Sequence, residues 1–310
     1  YHQFEPRIGV AVRYAGDDTR GEQVIGMAAQ AAHTARDEGS VVSWYDHEAA
    51  ARLGERLRMA GRIHEAIERE FQLYFQPICH AADGSPVALE ALLRWPQADG
   101  GFIDPGQFIQ LCEDTGQILL LGRWVIRAAA QAQRQLADAG FGHISIAVNV
   151  SALQFFNSDL VGEFTGAIAE FGLARGALQV ELTESSLMRK PAQAKQTMQH
   201  LHEHGICISL DDFGTGYSNM SYLQNLPLDM LKIDRSFVCD VEKNPRNASI
   251  CRALLTLGHS MGLSVIAEGV ETRGQYEWLA AHGCDHVQGY LLGRPAPLSC
   301  TLEMLQGIAA

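Results

Sequence analysis

The run "SLDDFGTGYS" sets two carboxylates, Asp211 and Asp212, side by side after an apolar segment and before a glycine-bearing loop. Adjacent carboxylates repel and resist shared ionisation unless a cation lies between them, so the pair reads either as a solvated turn or as a site for divalent metal. The rest of the sequence decides. Polar groups recur at the same place in one apolar segment after another: Glu90 in "PVALEALLRW", Asn149 in "ISIAVN", Glu181 and Glu184 in "LQVELTE", Lys232 and Asp234 in "LKID", Glu268 and Glu271 in "IAEGVE", and Gln288 in "HVQGY". A strand buried on both faces otherwise reads as continuously apolar, so each interruption marks a strand end where the chain can present reactive groups. Carboxylates converging on one rim are severely destabilising unless cations neutralise them. Hard oxygen ligands and one amide, without His or Cys, point to Mg²⁺ or Mn²⁺ rather than zinc. In that setting one of Asp211 and Asp212 can bridge two metals while the other binds one. Two ions about 3.5 to 4 Å apart form a clamp for phosphoester hydrolysis. Lys232 can orient the attacking water or offset developing charge, and Arg94, four residues after Glu90, can reach a phosphate with its fork of donors.

Such a rim needs strands that all end on one side. "LYFQPI" and "PVALEALLRW" are two apolar strands joined by "CHAADGS", whose Asp83-Gly84 is a hairpin signal, so they should run antiparallel. After them "ISIAVNV", "LQVELT", "ICISLDD", "DMLKID", "LSVIAEG" and "HVQGYLL" alternate with segments of helical period. About eight strands over roughly 230 residues favour an α/β fold of the (β/α)8 TIM-like barrel type over a doubly wound sheet. Upstream, "QVIGMAAQAAHTARDE" predicts a helix over 23–38 stopped by Gly39, "VVSWYD" a short strand, and "HEAAARLGERLRMAGRIHEAIERE" a linker helix over 47–70. The domain reading is therefore a short α/β piece over 1–46, the linker helix over 47–70, and the barrel over 71–310.

Composition bounds the function. The chain has 310 residues, 47% hydrophobic and 19% charged, with no apolar run long enough to span a bilayer, so this segment is expected to make no membrane contact. A formal charge of −12 argues against binding a nucleic-acid polymer regardless of sequence, which needs excess Lys and Arg. An anionic substrate remains compatible if bound metal reverses the local sign. Seven scattered cysteines, odd in number and without a C-x-x-C pair, read as reduced thiols of a cytoplasmic protein. The opening "YHQFEPR" has neither initiator Met nor signal pattern and is expected to be cut from a longer chain. Of the three histidines of "QHLHEHG", His200 and His204 share a helical face without a third ligand, and the group reads as structural.

The segments "EALLRW", "VNVSALQF", "VELTES", "DDFGTGYSNMSYLQNLPLDMLKIDRSFV", "VIAEGVET" and "VQGYLLGRP", in order between Phe71 and Pro297, resemble the successive motifs of the EAL-domain phosphodiesterases, which hydrolyse cyclic di-GMP to linear pGpG. The resemblance implies a β/α barrel with an antiparallel first strand and two ions, Mg²⁺ or Mn²⁺. It implies metal ligation by Glu90, Asn149, Glu181, Asp211, Asp212 and Glu268, with Glu90, Asp211, Glu268 and Lys232 the catalytic set. Glu184 would hold the "DDFGTG" loop in shape, with Glu271 beside it. Gln76, Leu92, Arg94, Asp234, Gln288 and Pro295 would meet the dinucleotide. Gln110, Leu153 and Asn219 depart from the family pattern, and none removes a ligand. The first 45 or so residues resemble, more weakly, the end of a GGDEF domain without its signature loop, which implies a parent chain with upstream GGDEF and sensor domains. A homodimer, coupled to catalysis through "DDFGTGYSNMSYL", is implied as well. The rival readings are a catalytically silent cyclic di-GMP receptor and a dimerising module; the complete set of ligands favours turnover.

Overall fold

The computed structural model describes residues 6–14, 18–97, 99–214 and 223–309. The chain divides into two compact units, Tyr1–Arg62 and Ile63–Ala310. In the first, β1 (Ile8–Val10) pairs parallel with β2 (Val42–Trp44) across helix α1 (Gly21–Asp37). A parallel pair needs such a crossover, and Gly39, at φ 70°, ends the helix where the sequence placed its stop. Helix α2 (His47–Arg69) begins in the first unit and ends in the second.

The second unit is a closed barrel of eight strands. In order around it stand β3 (Gln72–His80), β4 (Pro86–Pro96), β6 (Ser145–Asn149), β7 (Leu178–Thr183), β8 (Cys207–Phe213), β9 (Met230–Ile233), β10 (Ser264–Ala267) and β11 (His286–Gln288). The two-residue strand β5 (Phe102–Ile103) adds to the end of β4. Strand β3 is antiparallel to both its neighbours, β4 and β11, and all the other barrel pairs are parallel. The antiparallel first strand expected from the hairpin signal is thus present. Its turn closes through Gly84 at φ 75°, with Gly84 N–H donating to the His80 carbonyl and Ser85 N–H to Asp83 Oδ1.

Strand alternation sorts the side chains into two sets. Leu89, Ile146, Val180, Leu182, Ile208, Leu210, Leu231, Ile233, Val265 and Val287 share one core cluster with residues of helices α4 (Ile118–Asp138), α6 (Leu160–Phe171) and α8 (Pro191–Glu203). The opposite parity points into the barrel. There Ile78, Ala88 and Ile266 pack as a separate small cluster, and Gln179 donates to Ser145 Oγ. Glu90, Glu181, Ser209, Lys232 and Gln288 continue this inward set, so the acids, the amide and the lysine interrupt the apolar runs at inward positions toward one end of the barrel. The end of α2 is tied to the barrel unit by Trp95 Nε1 donating to Glu70 Oε2 at 2.7 Å, with Phe71, Trp95 and Phe108 in mutual ring contact.

Past β11 the chain turns at Gly289 against a neighbouring loop. A Cβ there would lie 2.1 Å from the Val270 carbonyl oxygen and 2.3 Å from its nitrogen. Val270 cannot retreat cheaply, because its N–H donates to the Gln288 carbonyl and its own carbonyl accepts from Leu291 N–H. Gly289→Ala is therefore expected to cost about 1–3 kcal/mol, an overpacking penalty, and to lower the melting temperature by about 3–10 °C in differential scanning calorimetry. An unchanged transition would show that the turn relaxes freely.

Candidate active site

The carboxyl ends of the parallel strands meet around one ammonium. Lys232, in the middle of β9, is fully buried; its Nζ lies 2.6 Å from Glu268 Oε1, 2.9 Å from Glu181 Oε2, 3.6 Å from Glu90 Oε2 and 3.7 Å from Asp211 Oδ1. Register explains the convergence: Gln76 is opposite Glu90, Asn149 opposite Glu181, and Thr183 opposite Asp211, so these side chains stand on neighbouring strands near one level. Glu90 also accepts from Asn149 Nδ2 at 2.7 Å and from Gln288 Nε2 at 2.6 Å, and Gln288 reaches Gln76 at 3.3 Å. Thus Glu90, Asn149, Glu181, Asp211, Lys232, Glu268, Gln288 and Gln76, all singled out from sequence, form one connected group.

Above them opens a pocket of about 240 Å³ lined by Gln76, Glu90, Leu92, Asp211, Glu268, Glu271 and Gln288 together with Arg235, Gly269, Gly289 and Tyr290. The last four were not among the residues read from sequence. Arg235, Gly269 and Gly289 directly follow Asp234, Glu268 and Gln288, and Tyr290 comes one residue later, which is the signal that could have found them. Asp212 is exposed and holds φ at 55°, a left-handed conformation uncommon outside glycine, while its N–H donates to Asp211 Oδ1 at 2.9 Å. Asp234 is the N-cap of the short helix α9 (Arg235–Val238), accepting from Ser236 N–H. Glu184 is buried beside the site, with Oε2 lacking a hydrogen-bond partner. Glu271 pairs with Arg235 at 2.8 Å. Arg94 and Pro295 are outside the pocket lining: Arg94 Nη1 donates to the Leu93 carbonyl, and Pro295 sits between Gly293, whose carbonyl accepts from Gln76, and the bridge of Ala296 to Phe75. Asn219 and most of the "GTGYSNMSY" stretch lie outside the described residues.

Burial and crowding act differently on each acid. Burial pushes Glu181 well above the usual carboxylate range; Lys232 opposes this, while Glu90 and Asp211 add to it. Burial also lifts Glu268 to about 7, against the pull of Lys232. For Glu90 burial is again the largest influence, yet the Lys232 charge and the hydrogen bonds from Gln288 and Asn149 together outweigh it and bring the group below its ordinary value. Although Asp212 is exposed as a residue, partial loss of water around its carboxyl raises it, and the neighbouring Asp211 charge raises it further. Lys232 loses to burial but gains more from Glu181, Glu90, Glu268 and Asp211, and stays charged far above neutral pH.

The donor set suits a hard cation: it is built of oxygens, and Glu181 Oε1 is buried without a hydrogen-bond partner, which is costly unless something positive faces it. Among the described residues no three His, Cys, Asp or Glu side chains stand close enough together to hold an ion as placed. The carboxylates are drawn instead onto Lys232. Among the described residues no helix is long and apolar enough to cross a membrane.

Residues 60–295 match the family described as EAL domain. The chain is 40% identical over 293 residues to the bifunctional diguanylate cyclase/cyclic di-GMP phosphodiesterase MucR of Pseudomonas aeruginosa, covering 94% of this chain and 42% of that protein. It is 37% identical over 301 residues to the cyclic di-GMP phosphodiesterase NbdA of the same organism, covering 96% and 38%. The chain thus spans about two fifths of the length of these relatives. Among solved structures, the PaMucR phosphodiesterase in complex with c-di-GMP aligns with a TM-score of 0.75 at 40% identity, covering 79% of this chain and 99% of that one. The eight-stranded barrel, the strand-end acids and these likenesses agree: the chain belongs to the EAL-domain family.

Proposed function

We propose that this chain hydrolyses cyclic di-GMP to linear 5′-pGpG with the help of two divalent ions, Mg²⁺ or Mn²⁺. The observation that carries the reading is the ring of four carboxylates around a fully buried lysine at the floor of a strand-end pocket, with one Glu181 oxygen left without a hydrogen-bond partner. Its family and the names of MucR and NbdA support the choice of substrate.

Glu90, Asn149, Glu181, Asp211, Asp212 and Glu268 would hold the ions, which when bound supply acidification of water and neutralisation of the phosphodiester oxygens. Lys232 fixes Glu181 and Glu268 through its two short contacts and keeps a positive charge where negative charge develops. Gln288 and Asn149 lock both oxygens of Glu90 by donating to them. Gln76, Leu92 and Gln288 line the pocket in which the dinucleotide would sit. Water adds to phosphorus, the bond from phosphorus to the ribose 3′ oxygen breaks, and that oxygen leaves with a proton. In the same reading the chain acts as a homodimer, and its first 46 residues end a GGDEF domain of a longer parent protein.

Purified protein incubated with cyclic di-GMP and Mn²⁺ is expected to form pGpG, resolved by anion-exchange chromatography, and excess EDTA is expected to stop it. Tight binding with no product over long incubation would assign the chain to reception instead.

A further inference from the structure

We propose that His80 and His286 form a binding site for one nitrogen-seeking divalent ion, of the Zn²⁺ or Cu²⁺ class, at the end of the barrel opposite the acid-lined pocket. The two residues are direct partners on β3 and β11, the antiparallel pair that closes the barrel. Residues so opposed hold their Cβ atoms about 4.5–5.5 Å apart, and the two imidazole centres stand 5.0 Å apart with a tilt of 30°. His286 shares the inward parity of Gln288 but precedes it by two residues, about 7 Å along the strand. The pair is thus separate from the acids around Lys232.

Its ring nitrogens are left for a ligand. Nδ1 of His286 is buried without a hydrogen-bond partner, and no ring nitrogen of His80 makes a hydrogen bond among the described residues. A buried polar atom in that position is costly, and an ion or a water is its usual resolution. Burial, and then His80, push His286 below the ordinary histidine range against the opposing charge of Asp285, which keeps the ring in the neutral form that binds metal. Two nitrogens on one tetrahedral ion lie roughly 3.3 Å apart. Facing edges of rings centred 5.0 Å apart reach that spacing, because the ring torsion of histidine is soft.

The surroundings are pinned and negative. His80 N–H donates to the Ser85 carbonyl and Ala81 N–H to the Asp285 carbonyl, so the backbone is tied at both partners. Asp83 Oδ1 accepts from the N–H and hydroxyl of Ser85; Asp285 Oδ2 accepts from Val265 N–H at 2.8 Å and lies 2.9 Å from His259 Nε2. These two fixed carboxylates interact electrostatically with His80 and His286 respectively, and so favour a cation between the rings. Two imidazoles, with water completing the shell, suit zinc or copper, whereas the oxygen set at the other end suits Mg²⁺ or Mn²⁺. A bound ion would clip together the strands that carry Gln76 and Gln288 to the pocket.

The full chain titrated with Zn²⁺ by isothermal calorimetry, with excess Mg²⁺ present to compete at the acids, tests the site. Wild type is expected to bind one Zn²⁺ per chain, and His80→Gln and His286→Gln each to weaken it about tenfold or more. His200→Gln, on α8, is expected to leave the affinity within about twofold. At a hundredfold excess over its Kd, Zn²⁺ is expected to raise the wild-type melting temperature by about 5–10 °C, and that of either barrel variant by less than about 2 °C. With one equivalent of Cu²⁺ instead, electron paramagnetic resonance is expected to show coupling to two imidazole nitrogens in wild type and to one in either barrel variant, a signature that the carboxylates do not give. Wild type that binds no Zn²⁺ in Mg²⁺, a copper spectrum of oxygen ligands alone, or affinity undiminished in both barrel variants would overturn the proposal. Because the site lies outside the pocket, its failure leaves hydrolysis of cyclic di-GMP untouched, and absence of hydrolysis leaves the site standing.

Discussion

Lys232→Met is expected to lower the melting temperature of the metal-free protein by about 6–20 °C, the span that follows when a buried ion pair loses one partner in a domain of this size. Lys232 is the sole ammonium within 4 Å of Glu90, Glu181, Asp211 and Glu268 among the described ion pairs. Methionine fills the stem's volume but leaves four acids facing one another, with nothing to offset the burial that already pushes Glu181 and Glu268 upward. Scanning calorimetry in EDTA measures the shift. Adding Mn²⁺ is expected to return part of it, since any ligand that binds only the folded state stabilises it, while pGpG formation stays lost. A metal-free transition within 2 °C of wild type, roughly the scale of 1 kcal/mol or less here, would mean that the acids do not depend on the lysine.

Glu90→Ala is expected to do the reverse: turnover falls by about 10³-fold or more, the scale of removing a group that acts on the transition state, while the fold is nearly as stable. The stability change is small because two effects oppose. Removing Glu90 orphans the amides of Asn149 and Gln288, at about 1–3 kcal/mol for each buried group left unsatisfied. It also takes away one of the carboxylates whose charge raises Glu181 and Glu268. Initial rates of pGpG formation and a melting curve on the same preparation separate the two effects. Turnover within tenfold of wild type would remove Glu90 from the catalytic set.

The contrast between these variants shows what the sequence could convey. Acids, amides and a lysine at the ends of apolar runs were legible because a barrel strand alternates inward and outward, so a polar residue at the last inward position has few other uses. The hairpin was legible from Asp83-Gly84 and set the direction of β3. Arg94 was harder: its spacing puts it on the same parity as Glu90, but β4 runs on to Pro96, and the guanidinium turns back to its own strand at Leu93. Spacing fixes the face of a strand, not the side chain's final partner. The Arg235–Glu271 pair was out of reach for a related reason, since it joins loops that follow two different strands and depends on the room left by Gly269. The gathering of four acids on Lys232 likewise arises only when register brings separate strands level.

The central claim is that the acids at the barrel mouth serve to hold hard divalent ions over a phosphodiester. Crystals of the protein soaked in Mn²⁺ with a non-hydrolysable cyclic di-GMP analogue test it most directly through the anomalous signal of manganese. The expected map shows peaks between the oxygens of Glu90, Glu181 and Asp211 and a phosphate of the ligand. Ligand in the pocket with those oxygens still turned onto Lys232, and no manganese among them, would contradict the account.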